Sequence, residues 1–542
     1  MADRMLGLET EYAFTALGHG GQSPDGETAL RRLLQLARSK LPHLPGMHST
    51  GIALTNSSCI YMDTGSHIEV ATAECLDPWD VVRYRVAGER ILADLAQSLA
   101  AEDPRISEAA FFKCNVGYAS RTTWGCHESH LHRGDPAVFS REIIPHLVSR
   151  IIYSGPGGWN PQSPGLEFML SPRVVYLVKT VSANSTCDRG IFHTKDEPLC
   201  QEGYHRLHIL CGESLCSETA SWLKIGTTAL VVAMIEAGLR PADGVELHCP
   251  LEAMRTFSRD PECKAVAGLA RWQSTTALAI QRHYLAQAEA HADEPFMPPW
   301  AHEVCREWQA VLGRLEEGAP CSVATVLDWA IKLALYKDRV CRRGFSWEAL
   351  ALWTRVMAAL TRALEGTGHE HERLSLDFIL SKGSPVASTV EGLTPLMRAN
   401  GLSWDGLEAF VTLREELFEA DWRFGQLGQN GIFAALDRAA VLDHHLEGVD
   451  NIEDALVHPP AAGRAHLRGE CVKRFAGSGR YVCDWDRISD TEEGWVLDLS
   501  DPFETEERWQ RLPKAGQDGR HRPTCFSELL EALRNRGTAR TQ

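Results

Sequence analysis

No C-x-x-C pair, no G-x-x-x-x-G-K-[ST] loop and no H-E-x-x-H segment occurs anywhere in the 542 residues. The first absence leaves sixteen cysteines scattered along a long chain, which speaks against a secreted disulfide framework and for reduced thiols in a cytosolic protein. The second excludes a P-loop: Gly155-Pro-Gly-Gly158 has neither the lysine nor the helix start that a phosphate cradle needs. The third leaves His127, His130 and His132 without a zinc pattern, so they read as surface histidines. Basic residues are in deficit, 55 Lys and Arg against 72 Asp and Glu, for a formal net charge of -17. A nucleic-acid partner, which demands a basic stripe, is not expected. Long apolar runs are missing too. The strongest, Ala229 to Ile235, is far short of the roughly 20 residues that span a bilayer, and Met1 to Leu8 lacks the basic-then-apolar pattern of an export signal. The expectation is a cytoplasmic protein with no membrane partner.

What is present is alternation early and helical spacing later. From Arg4 to Leu17 the pattern predicts a strand with Gly7, Glu9, Glu11 and Ala13 on one face and Leu6, Leu8, Tyr12 and Phe14 on the other. Ala53 to Asp63 and Ala109 to Tyr118 are predicted as further strands, and His67 to Glu74 alternates again. Helices are predicted over Ala29 to Ser39, Asp80 to Leu99 and Ser217 to Ala237, and through most of Leu251 to Glu316. This order predicts an α+β fold, an antiparallel sheet covered by helices. At 542 residues the chain exceeds a single core. The turn at His458-Pro-Pro460 suggests a catalytic domain over 1–455 and a small C-terminal domain over 456–542, with an insertion at about 344–400.

Two acids two residues apart on a strand describe, alone, a solvated face. A second group changes that reading: Tyr61 and Asp63 share a face, and Glu69 and Glu74 follow within a few residues. Clustered carboxylates suit a hard divalent cation such as Mg²⁺. Asp63 precedes the turn Thr64-Gly65-Ser66, which places a carboxylate at a strand end, able to accept a proton or attack an acyl group. In Arg206-Leu-His208 the polar pair shares a strand face; Arg206 suits phosphate and His208 a metal. Thr194-Lys-Asp-Glu-Pro198 adds further charge nearby in sequence.

The segment Leu6-Gly-Leu-Glu-Thr-Glu-Tyr12 resembles the opening strand of the family of Pup ligases and Pup deamidase/depupylases, which is similar to glutamine synthetase and the carboxylate-amine ligases. It is joined in order by Ile60-Tyr-Met-Asp-Thr-Gly-Ser-His67, Glu69-Val-Ala-Thr-Ala-Glu-Cys75, Phe112-Lys-Cys-Asn115, Arg206-Leu-His208, Leu467-Arg-Gly-Glu470 and Asp484-Trp485. The resemblance implies a curved antiparallel sheet carrying ATP and Mg²⁺, plus a small C-terminal domain. It implies metal binding by Glu9, Glu11, Glu69 and His208 with Tyr61 nearby, nucleotide contacts from Arg206, Arg468 and Trp485, and Asp63 as the catalytic carboxylate. The implied partners are a Pup-like small protein modifier and lysine-bearing target proteins. Asp63-Thr-Gly-Ser-His67 and a short segment between Leu34 and Asn56 favour the ligase direction; Asp77-Pro-Trp-Asp80 and Arg468-Gly-Glu-Cys471 lean to the deamidase. A silent binder is the third reading. The chain departs from the family pattern at Ile68, Val70, Lys195, Leu199 and His205.

Overall fold

The computed structural model describes residues 4–19, 24–46, 50–63, 65–120, 122–183, 188–193, 199–370 and 372–511. The Thr194 to Pro198 motif lies outside the described residues, as do residues 534–542, whose sequence reads as a frayed end. A large sheet forms the centre. Its strands are β1 (Leu6–Gly18), β2 (His43–Pro45), β3 (Ile52–Leu54), β4 (Cys59–Met62), β5 (Ile68–Ala71), β6 (Ile106–Phe112), β7 (Cys126–His132), β8 (Lys179–Ser182), β9 (Gly190–His193) and β10 (His205–Ile209). They run β8-β9-β10-β7-β1-β5-β4-β3-β2, with β6 also on β1. Among the described strands of this sheet, β8 and β9 alone pair in parallel. The thirteen-residue β1 is the hub: it meets β7 over Leu6 to Thr10, β5 over Glu9 to Tyr12 and β6 over Ala13 to Gly18.

Alternation along β1 sorts its faces as expected, Leu6, Leu8, Thr10 and Tyr12 buried and Gly7, Glu9 and Glu11 half-buried. Behind the sheet lie helices Pro78–Glu102 and Glu218–Glu236. Pro78 opens the first, whose Asp77 cap accepts from Asp80 N at 2.8 Å. In the second, every residue from Thr219 to Ile235 is buried, as befits a helix apolar on all sides. Leu6 and Leu8 share one apolar core with Trp222, Leu223 and Leu230. Among the described residues, no helix is long and apolar enough to cross a membrane.

One strand expectation is corrected. Ala53 to Asp63 is not a single strand but the hairpin β3–β4, because Thr55-Asn56-Ser57-Ser58 is turn chemistry. Asn56 Oδ1 accepts from Ser58 N at 3.0 Å, and Ser57 takes a φ of 64°. The strand expected over Ala109 to Tyr118 ends at Phe112, where Lys113 leaves the sheet to bond Glu89 at 2.9 Å.

Among the described residues, two smaller bodies stand beside this core. Helices Asp328–Arg342, Ala349–Leu364 and Leu407–Phe424 build a separate core in which Trp353 stacks on Phe410 at 5.3 Å and 12°. The small C-terminal domain, helix Arg464–Phe475 and four antiparallel strands between Tyr481 and Arg511, lies against the β2–β5 end of the sheet. There Leu44, Cys59 and Tyr61 pack with Leu467, Cys483 and Ile488. Gly46, at φ 128°, allows the approach, since a Cβ there would overlap the Cys483 carbonyl.

Candidate active site

Strand register assembles the polar face. Glu9 and Glu11 project together from β1. His127 of β7 lies opposite Glu9, Glu69 of β5 opposite Glu11, and Tyr61 of β4 opposite Glu69. From β10, His208 Nε2 lies 3.5 Å from Glu9 Oε2, and Arg206 Nη1 lies 3.3 Å from Glu9 Oε1. Glu11 is oriented by Gly125 N, which donates to its Oε2 at 2.7 Å. Ligand atoms of Glu9, His127 and His208 fall within 4.8 Å of one another, and so do those of Glu11, Asp63 and His67.

Asp63 stands just beyond β4 in a turn closed on itself. His67 N donates to its Oδ1 at 2.6 Å, and the His67 ring Nδ1 lies 3.5 Å from Oδ2. Although burial pushes Asp63 up, these His67 hydrogen bonds hold it below the usual carboxylate range. His67 is raised by Asp63 and Glu11 against the opposing effect of burial. The acids on the sheet divide. Burial, then the charges of Glu9 and Glu11, push Glu69 well above the usual range, and burial raises Glu11. Glu9 also feels burial, but the His208 hydrogen bond and the charges of His208 and Arg206 hold it far below. Burial and the neighbouring His208 and Arg173 push His127 down to about 3.

These groups line a cavity of about 800 Å³. The C-terminal domain supplies one wall through Arg464 and Trp485, while Arg173 and Arg189 lie on the cavity surface from the chain preceding β10. Arg468 does not line the cavity. It is 0% exposed, its guanidinium paired with Glu74, donating to the Trp485 carbonyl at 3.0 Å and standing 4.9 Å from the Trp485 ring centre. It meets the cavity through Trp485, which lines it. Tyr61 lines the cavity and hydrogen-bonds Glu69; burial and the nearby acids raise its phenol well above the usual value.

Sequence reasoning missed several groups. The histidines of β7 are not on the surface, because β7 is an interior strand between β1 and β10: His130 is 1% exposed, His132 2%, and His127 faces Glu9 in the cavity. The two-residue spacing of His130 and His132 was a signal of the strand but not of its partners. Arg464, whose Nε bonds Glu74 at 2.9 Å across 390 residues, had none.

A model of the Pup-ligase protein family matches residues 4–357 and 393–489. A Pup–protein ligase of Rhodococcus erythropolis (strain PR4) is 30% identical over 526 residues, spanning 94% of this chain and 99% of that one. Another, of Nakamurella multipartita, is 31% identical over 531 residues, spanning 95% and 100%. Among solved structures, the fold is similar to that of the ligase PafA in its complex with the prokaryotic ubiquitin-like protein Pup, with a TM-score of 0.68 at 24% identity over 93% of this chain and 90% of that one. It is also similar to PafA in complex with ADP, with a TM-score of 0.62 at 24% identity over 90% and 94%. Matched along most of its length by the family and almost end to end by these relatives, the chain belongs to the Pup-ligase family.

Proposed function

We propose that this protein is an ATP- and Mg²⁺-dependent ligase that joins the C-terminal glutamate side chain of a Pup-like modifier to a lysine of a target protein. The observation that carries the reading is the convergence of Glu9, Glu11 and Glu69 with His208 on one sheet face. Among the described residues Glu69 Oε1 has no hydrogen-bond partner, and burial and its acidic neighbours drive its carboxyl far up. The oxygen-rich donors of such a face fit Mg²⁺. Glu9, Glu11, Glu69 and His208 would hold the ion, with Tyr61 orienting Glu69. When bound, Mg²⁺ would neutralise charge on the ATP phosphates and align them with the acceptor carboxylate.

The chain's own groups do the rest. Arg206 and Arg464 supply cations beside the anionic substrate, and Trp485 offers a flat face to the nucleotide. The modifier's glutamate carboxylate takes the γ-phosphoryl group, ADP leaves, and the lysine amine attacks the acyl phosphate and expels inorganic phosphate. A lysine is almost wholly protonated near neutral pH, with a reference pKa of about 10.4. Asp63, ionised and fixed by His67, would receive the proton as the amine attacks.

Purified protein with ATP, Mg²⁺, a Pup-like peptide ending in Glu and a lysine acceptor should give one ADP per isopeptide bond by mass spectrometry. Asp63→Asn should abolish conjugation while nucleotide still binds; full activity in that variant removes Asp63 from the reaction. Release of ammonia from a Gln-ended peptide without matched ATP use would reassign the direction to hydrolysis.

A further inference from the structure

Away from the cavity, the strap that follows helix Ile432–Arg438 crosses the N-termini of helices Pro78–Glu102 and Glu218–Glu236. Trp79 Nε1 donates to the Glu447 carbonyl at 2.9 Å, Arg83 Nη2 to that of Gly448 at 2.7 Å, and Thr219 N to that of His444 at 3.1 Å. At this crossing Asp437, His444, His445 and Glu218 come together. Asp437 Oδ1 lies 3.0 Å from Nε2 of His444 and 3.0 Å from Nε2 of His445. One carboxylate oxygen can thus accept both ring protons, leaving both lone pairs on Nδ1. Both Nδ1 atoms turn toward Glu218: that of His445 is 3.3 Å from its Oε2, and that of His444 accepts from its backbone N–H at a long 3.5 Å, a weak bond that a metal ion would displace. Glu218 Oε2 is itself held by Leu446 N at 3.1 Å. Donor atoms of Glu218, His444 and His445 all lie within 4.8 Å of one another.

We propose that His444 Nδ1, His445 Nδ1 and the Glu218 carboxylate bind a Zn²⁺ ion that clasps the strap to the helix, with Asp437 as the outer carboxylate orienting both rings. Two imidazoles and a carboxylate suit Zn²⁺ rather than Mg²⁺, which prefers oxygen throughout. A carboxylate on the far nitrogen is the arrangement that fixes the tautomer of a metal-bound histidine. His444 is 4% exposed beneath the Phe433 ring, whereas His445 is 64% exposed, so the site is walled on one side and leaves the fourth position to water. The partial charge of roughly +0.5 at the helix N-terminus opposes any cation there. Two carboxylates outweigh it.

The competing arrangement is a protonated His445 shared by Glu218 and Asp437, with no metal. Chelator-stripped full-length protein, titrated with Zn²⁺ in excess Mg²⁺, separates the two. The parent should bind zinc and gain thermal stability from it, and His445→Ala should lose one equivalent and that gain. His208→Ala, in the catalytic cavity, should keep this equivalent. Asp437→Asn should keep the stoichiometry and weaken affinity by roughly 10–100-fold. Co²⁺ in place of zinc should give absorption bands that His445→Ala removes. Because the His445 side chain is largely exposed, its replacement should leave the fold intact. Zinc binding in equal amount by the parent and His445→Ala, or none by the parent, would overturn the proposal.

Discussion

At Glu69 the sheet sets a carboxylate opposite both Glu11 and Tyr61, where burial and like charge oppose its ionisation. Glu69→Gln therefore has effects of opposite sign. Without metal it relieves repulsion, so the melting temperature should hold or rise. Mg²⁺ should raise the melting temperature of the parent and not of the variant, and conjugation should fall by at least about tenfold; a thermal-shift series with and without Mg²⁺ beside a conjugation assay reads both. Arg468 makes its claim by indirect means. Its planar fork pairs two-pronged with Glu74 while donating to the Trp485 carbonyl, a fixed geometry that the single ammonium nitrogen of a lysine does not supply. Arg468→Lys should raise the KM for ATP by roughly tenfold, the worth of one charged hydrogen bond, with kcat little changed, as steady-state kinetics will show. At this scale the sequence was legible where a residue's neighbours on its own strand announced it, as with Glu9, Glu11, Arg206 and His208. It was not where burial decided, as with Arg468, or where the partner strand lay elsewhere, as with His127.

Among the elements, helix Pro78–Glu102 is tied to the strand beside it by Glu89, which faces Arg85 Nη1 at 2.6 Å and Lys113 Nζ at 2.9 Å. Burial would raise this carboxyl, but Arg85 and Lys113 together hold it below the usual range, as Arg468 and Arg464 do for Glu74. Both acids thus bind protons more weakly folded than unfolded. Their stabilisation is present above the unfolded value of about 4.3 and is lost as pH falls through the lower folded values. Urea unfolding should show stability level near neutrality and declining below about pH 4.3. Glu89→Gln, which leaves two buried cations unpaired, should cost about 3 kcal/mol at pH 7 and show a shallower acid decline. Helix Glu218–Glu236 was readable from its run of apolar residues, because a helix buried on all sides has no polar face to confuse the pattern. The β3–β4 hairpin reads as one strand in the sequence because apolar residues on either side mask the four-residue turn.

Over the whole molecule, the cavity has two builders far apart in sequence. The sheet lays its floor, and the C-terminal domain brings Arg464 and Trp485 to its wall. A chain ending at residue 463 should lose nucleotide binding, which isothermal titration can measure, and should aggregate, because Leu44, Cys59 and Tyr61 would be uncovered. The α+β class could be read from strand patterns early and helical patterns late. How the late residues fold back onto the early ones could not, because spacing carries no information across hundreds of residues.

The central place of β1 bears on the birth of the protein. Glu9 and Glu11 are made well before the strands that flank them: β7 must emerge before β1 has neighbours on that side, and β10 before His208 reaches Glu9. At about 5–20 residues per second that interval is on the order of ten seconds or more. Through it, the nascent chain carries the middle of its sheet as an open edge, with Leu6, Leu8 and Tyr12 awaiting cover.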